Sequence, residues 1–223
     1  MKTILTLVLL GSASLSSAAI AISGGGAGSE SGLGFFTGSL DYVATNATTA
    51  SLTVNLKNTS PAANGGYLTG FAFNLPSGPT FALAFYPPVG DFDSISGSVT
   101  SHAVNASPFG QFNIAISTGS PFNGGGPPSA GLAVSQSATF VINFFGTGLN
   151  TINTQSFLNE LSEGSGAGQG YKSFVVRFRG FENDGSDKVP GTTSVVPEPS
   201  SYAMVLAAGI GVMTAIRKRR AAK

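Results

Sequence analysis

The sequence predicts an all-β protein: an antiparallel β-sandwich of the jelly-roll or Ig-like kind, followed by a single C-terminal transmembrane helix. Three observations carry this expectation. Apolar residues through the middle of the chain recur with period two, as in strands that bury one face. Clusters of Gly, Pro, Asn and Ser separate these runs at short intervals. Ser200–Ile216 is uncharged and is followed at once by Arg217-Lys-Arg-Arg220, an apolar span closed by a basic stop. Composition limits the chemistry. The 223 residues include 31 Gly and 17 Phe, no Cys, no Trp and one His, and only 9% are charged, against about 25% in an ordinary soluble domain. Metal centres built on Cys or His clusters, thiol catalysis and a disulfide framework are excluded. A serine triad would have to use His102.

In chain order, Met1-Lys2, the apolar run Ile4–Leu10 and the small residues from Gly11 onward read as a secretory signal peptide over residues 1–21. Ala19-Ile20-Ala21 fits the small-x-small cleavage rule, with cleavage after Ala18 or Ala19 as alternatives. Residues 22–34 are rich in Gly and Ser and are expected to form a flexible lead-in. The β-domain then spans residues 35–190. Its alternating sets are Leu52, Val54 and Leu56; Phe71, Phe73 and Leu75; Phe81, Leu83 and Phe85; Phe112, Ile114 and Ile116; Phe140, Ile142 and Phe144; and Phe174, Val176 and Phe178. Behind the last set, Val175, Arg177 and Arg179 predict a mostly polar outer face. Turns are expected at 58–66, 76–79, 87–91 and 120–129, and one or two helical turns at Gln155–Leu161. Seven or eight short strands with one apolar face each imply two sheets packed face to face. With no disulfide and no Trp, the phenylalanines must supply most of the core.

Charge is unevenly spread. Residues 22–196 carry five bases against nine acids, while the tail from Pro197 holds Glu198 against Arg217, Lys218, Arg219, Arg220 and Lys223. A mildly acidic middle offers no footprint for nucleic acid.

The C-terminal end has three parts in order. Residues 191–199 form a linker ending in Val196-Pro197-Glu198-Pro199, whose prolines impose an extended backbone. Residues 200–216 form the helix, about 25 Å long at 1.5 Å per residue and at the short limit for a span. Ala203, Ala207, Gly211 and Ala215 give it one small-residue face. Residues 217–223 form a basic cytoplasmic tail. This order, from Val196 to Lys223, resembles the PEP-CTERM sorting signal. The resemblance implies a substrate of an exosortase-like membrane protease, recognised at Val196, Pro197, Glu198 and Pro199, held in the inner membrane by Ser200–Ile216, and stopped by Arg217, Lys218, Arg219 and Arg220. Leu52–Ser60, Leu68–Leu75 and Phe174–Phe181 loosely resemble exported β-domains found ahead of such signals, which have no settled activity to carry over.

Candidate chemistry inside the domain is sparse. Glu182, Asp184 and Asp187 lie in one turn and make a weak calcium candidate, although the order of an EF-hand loop is absent. Asp91 and Asp93 are paired carboxylates that could work with Glu160 or Glu163 as a glycosidase pair, but no motif joins them. His102 has no nucleophile motif beside it. Gly124-Gly-Gly-Pro-Pro128 lacks the Lys and following helix of a phosphate loop. The expectation is therefore a non-enzymatic protein without a cofactor, exported by Sec-type machinery. It would be anchored transiently in the inner membrane and delivered to the cell surface or extracellular matrix. The alternative is a module that binds extracellular polysaccharide through Tyr67, Tyr86 and Tyr171.

Overall fold

The computed structural model describes residues 19–194; residues 1–18 of the expected signal peptide (1–21), the Pro-Glu-Pro motif, the apolar span and the basic tail lie outside the described residues. Within 19–194, two antiparallel sheets enclose one core in a sandwich-like arrangement. The strands are β1 (Ile20–Gly25), β2 (Phe35–Ala44), β3 (Thr49–Asn58), β4 (Gly65–Phe73), β5 (Thr80–Phe85), β6 (Ser94–Gly97), β7 (Val104–Asn105), β8 (Gln111–Phe112), β9 (Ile114–Ser117), β10 (Ser137–Thr147), β11 (Phe174–Phe181), β12 (Ser186–Pro190) and β13 (Thr192–Ser194). The six-stranded sheet has the order β13-β1-β2-β3-β10-β5, and the five-stranded sheet the order β12-β11-β4-β9-β6. Among the described residues, no helix is long and apolar enough to cross a membrane.

The core is made of phenylalanine, as the composition requires. All of the phenylalanines except Phe35, Phe85 and Phe145 are buried. The two sheets meet through rings: Phe71 of β4 lies 5.0 Å from Phe140 of β10, and 5.8 Å from Phe174 of β11, centroid to centroid. Offset and tilted pairs of this kind add about 0.5–1.5 kcal/mol each beyond the area they bury. Leu52, Val54 and Leu56 of β3 fill the spaces between them.

The helix at Gln155–Leu161 exists as the single short α1 (Thr154–Asn159). Asn153 caps it: its side chain accepts from the Ser156 amide at 3.2 Å, and the Ser156 hydroxyl accepts from the Asn153 amide at 3.2 Å. This reciprocal cap fixes the start of a helix too short to persist alone. It closes one end of the sandwich. Phe157 packs on Tyr42 at 5.1 Å, the Thr154 hydroxyl accepts from the Tyr42 amide at 2.9 Å, and the Tyr42 hydroxyl donates to the Leu149 carbonyl at 2.8 Å.

Four expectations are corrected. Residues 22–34 are not a flexible lead-in: β1 pairs with β2 along its length, Ile22 is core, and Gly26–Gly28 form one 3-10 turn. Ala21 thus lies inside a strand, opposite Ser39 and Ser194, and β13 runs through the first part of the expected linker. The set Phe81, Leu83 and Phe85 does not share a face. A bulge between Phe145 and Gly146 of β10 shifts the pairing, so that Phe81 is buried while Leu83 and Phe85 are exposed, as an extra residue in one strand must do. Phe112 leaves the set with Ile114 and Ile116. The buried Asn113, whose side chain accepts from the Leu75 amide at 3.0 Å, separates β8 from β9.

Phe112 instead joins a second core. Val175, Ala72 and Ala115 stand side by side on the outer face of the five-stranded sheet. They are covered by Val104, Ala106, Phe109, Phe112 and Phe122 from the long connections. The face behind Phe174, Val176 and Phe178 is therefore apolar at Val175 and buried at Arg177, not mostly polar. Small residues at the sheet let the loop aromatics sit close: a Cβ on Gly70 would stand 2.8 Å from the Ile116 carbonyl oxygen and 3.2 Å from the Phe122 ring.

Burial pushes the Tyr42 phenol up to about 12 from its ordinary value of 10.0. The neutral phenol is the form the fold accepts, so the stability it contributes is complete below pH 10 and is lost as pH rises through 12. Replacing Tyr42 with Phe leaves the Leu149 carbonyl without its donor and is expected to cost about 1–2 kcal/mol at neutral pH. The variant should also lose part of the phenolate absorbance that develops near pH 12 in the native protein. An unchanged alkaline titration would show that Tyr42 is not buried as described.

Candidate functional site

The acidic turn flagged in the sequence is built around one inward carboxylate. In β12 the side chains alternate, so Asp187 points into the protein and is fully buried, while Glu182 and Asp184 are exposed. Asp184, at φ 57°, supplies the left-handed residue of the turn. Asp187 Oδ2 accepts from the amides of Leu33 and Gly34, both at 2.8 Å, and lies 3.0 Å from the Ser29 hydroxyl. Oδ1 accepts from the Ser31 amide at 2.9 Å. Beside it, Lys188 pairs with Glu30 at 3.0 Å, and the Glu30 amide donates to the Lys188 carbonyl at 2.9 Å. The carboxylate is thus committed to the Gly/Ser-rich segment. Its two acidic neighbours in sequence, Glu182 and Asp184, do not converge on it, and no group of His, Asp or Glu among the described residues is arranged to hold a metal ion.

The neighbouring strand anchors the other glycine-rich segment. Arg177 donates to the Asn123 carbonyl, and Arg179 Nη1 to the carbonyls of Gly125 and Gly126 at 2.8 and 2.7 Å. Burial lowers the Arg177 guanidinium from its ordinary value to about 10; the Arg179 charge adds to the lowering and Glu30 opposes it. Gly124-Gly-Gly-Pro-Pro128 is thereby a strapped cover over β11 and β4, and its carbonyls face cations, the reverse of a phosphate loop.

The catalytic candidates divide between two places. Asp91 and Asp93 are exposed and flank the buried Phe92 in a tight turn. Glu160, Glu163 and His102 line a separate cleft of about 580 Å3 with Ser77, Thr100 and Ser101. There Glu160 Oε2 accepts from the Ser77 amide at 3.1 Å, and Glu163 Oε1 lies 2.6 Å from His102 Nδ1. His102 Nε2 is buried without a hydrogen-bond partner. A carboxylate-oriented imidazole is the geometry of two members of a triad; no hydroxyl is hydrogen-bonded to Nε2 in this structure. The pairing was illegible in the sequence because Thr100–Ala103 and Ser162–Gly164 meet only through the fold.

The tyrosines differ among themselves. Tyr86 is core, its hydroxyl accepting from the Val89 amide at 3.1 Å, and burial pushes its phenol up to about 12. Tyr67 is half-buried, and Tyr171 is exposed with its hydroxyl donating to the Gly164 carbonyl at 3.2 Å. They form no common surface of exposed rings. A polar surface exists elsewhere, on the outer face of the six-stranded sheet. The pairing places Ser39, Asn55 and Thr139 in one row and Thr37, Lys57 and Ser137 in the next. The Asn55 amide donates to Ser39 Oγ at 3.1 Å and accepts from the Thr139 hydroxyl at 2.6 Å. These rows line a shallow depression of about 520 Å3. Hydroxyls, one amide and the Lys57 ammonium thus stand at strand spacing on this face, and no sequence motif reports them because the rows come from three strands.

Asp187→Ala removes the buried acceptor of four hydrogen bonds and is expected to destabilise the protein by about 3–5 kcal/mol. Asp187→Asn keeps one oxygen for the three donors on Oδ2 but sets an amide against Ser31, so its melting temperature should lie between those of the native protein and the alanine variant. Equal melting temperatures for all three proteins would contradict the assigned role. Searches against protein-family models, curated proteins and solved structures found no match for this chain.

Proposed function

We propose that the chain is an exported cell-surface or extracellular-matrix protein with no catalytic activity of its own, built on a sandwich of the jelly-roll or Ig-like kind. In this reading Sec-type machinery exports it, the apolar span 200–216 holds it in the inner membrane, and an exosortase-like protease processes it at Val196-Pro197-Glu198-Pro199. The observation that best supports this reading is the pairing of β1 with β13. Ala21 stands opposite Ser194 in antiparallel register, so the segments before residue 19 and after residue 194 join the domain at the same end of one sheet. A domain attached at one place is freed by cuts at one place and leaves the rest of its surface undisturbed. Asp187, the acidic candidate of the sequence, is occupied in ordering the Gly/Ser-rich segment.

A second reading, recognition of extracellular polysaccharide, is favoured by the rows of Ser39, Asn55 and Thr139 rather than by the tyrosines.

Replacing Pro197, Glu198 and Pro199 by Ala should leave full-length, unprocessed protein in the membrane of the native cell; normal release of that variant would refute the sorting role. N-terminal sequencing of the mature form should begin at Ala19 or Ile20, because cleavage after Ala21 removes the start of β1; a mature protein beginning at Ile22 would count against the strand's role. In affinity electrophoresis through native polysaccharide, Asn55→Ala combined with Thr139→Ala should abolish any retardation of the native protein, and equal mobility of the two would remove the binding reading.

A further inference from the structure

The sandwich has four sheet edges, and three are blunted. The β12 edge is covered by the Gly/Ser-rich segment, with the Glu30 amide on the Lys188 carbonyl and the Ser31 hydroxyl on the Ser186 carbonyl. The β13 edge is three residues long and the β6 edge four. The β5 edge, Thr80–Phe85, has no strand on its outer side among the described residues. Its Leu83 and Phe85 are each 55% exposed, and Phe145, which faces Leu83 across the ladder, is 43% exposed. A groove of about 240 Å3 runs between this strand and β6, lined by Ala82, Ala84, Ile95, Val99 and Ile114. No Asp, Glu, Lys or Arg lies between Lys57 and Asp91, or between Asp93 and Glu160. The strands at this side, β4 to β6 and β8 to β10, therefore carry no charge at all. Edge strands that must stay single usually hold a lysine, a proline or an inward charge to prevent pairing; β5 has none within it.

We propose that β5 is a self-association edge, on which a second copy of this chain adds its own β5 antiparallel across a two-fold axis. Charge selects this occupant. The strand and its groove offer no counter-charge to an acidic or basic partner, the next acids in sequence, Asp91 and Asp93, lying beyond Pro87-Pro88, whereas the match for a neutral apolar strand is another neutral apolar strand, and each copy presents one. Pro79 on one side and Pro87-Pro88 on the other end the strand at matching lengths in both copies. A register centred on Ala84 sets Leu83 of one copy opposite Phe85 of the other on the outer face, with both Phe145 rings beside them. The free backbone amides and carbonyls of the two edges then satisfy one another. The contact is isologous and closes as a dimer. It lies at the opposite end of the strand order from β1 and β13, so it leaves both chain ends free.

The test uses the full chain in mild detergent, with mass measured by light scattering across a dilution series. Because the chain has no Cys, Ala84→Cys supplies a unique thiol. The native protein should be a dimer, Leu83→Lys with Phe85→Lys should be a folded monomer that melts where the native protein melts at high dilution, and oxidised Ala84→Cys should run as a covalent dimer. A native monomer at every concentration overturns the proposal. So does a dimer that both lysines leave intact, which would place association in the apolar tail, or an open-ended polymer, which would join β5 to the β13 edge.

Discussion

The buried carboxylate of Asp187 is the constraint on which the N-terminal half of the architecture depends. A segment composed largely of Gly and Ser loses more conformational freedom on ordering than any other, and Ser23–Gly34 has almost no side chain to bury in return. Four donors converging on one charged group offset that loss, because hydrogen bonds to an ion are roughly twice as strong as neutral ones. Once Ser29–Gly34 is held against β12, the chain enters β2 in register, β1 returns alongside it, and the β12 edge is covered. The pairing of β1 with β13 follows from the same placement.

A protein with so few charges uses them in an unusual way. Asp187, Lys188, Arg177 and Arg179 sit on two adjacent strands, and three of the four are buried. Two glycine-rich segments are ordered by them, one through an anion and one through cations. Strands β5 and β10 at the other end carry no charge and are held by ring contacts such as Phe81 with Phe144 at 5.3 Å and Phe92 with Phe140 at 5.0 Å. Order by ions on one side and by aromatic packing on the other leaves the first side closed and the second with an open edge.

The inner-face strands were legible because period-two patterning reports burial directly: Leu52, Val54 and Leu56, and Phe140, Ile142 and Phe144, are where the pattern puts them. What the pattern cannot encode is pairing. The bulge at Phe145–Gly146 reverses Leu83 and Phe85, and the break at Asn113 moves Phe112 to a different core. β2 was hidden because Gly38 takes one inner position of its alternation while Phe35 and Val43 put apolar side chains on its outer face, and β1 because an apolar leader-like run and a glycine run flank it. Asp187 looked like a metal ligand because its residue type is visible while its donors, over 150 positions earlier in the chain, are not.

The same ambiguity affects the function. Asp187 and Glu160, whose residue types suggested chemistry, bond loop amides, while the Ser/Thr/Asn rows and the β5 edge are made of residues without any motif. The account stands on the claim that the Gly/Ser-rich segment is an integral part of the fold. Amide hydrogen exchange of the native protein measures this directly. Ser31, Leu33 and Gly34 should exchange as slowly as the amides in the middle of β2 and β3, whereas exchange at the rate of an unstructured peptide would contradict the account.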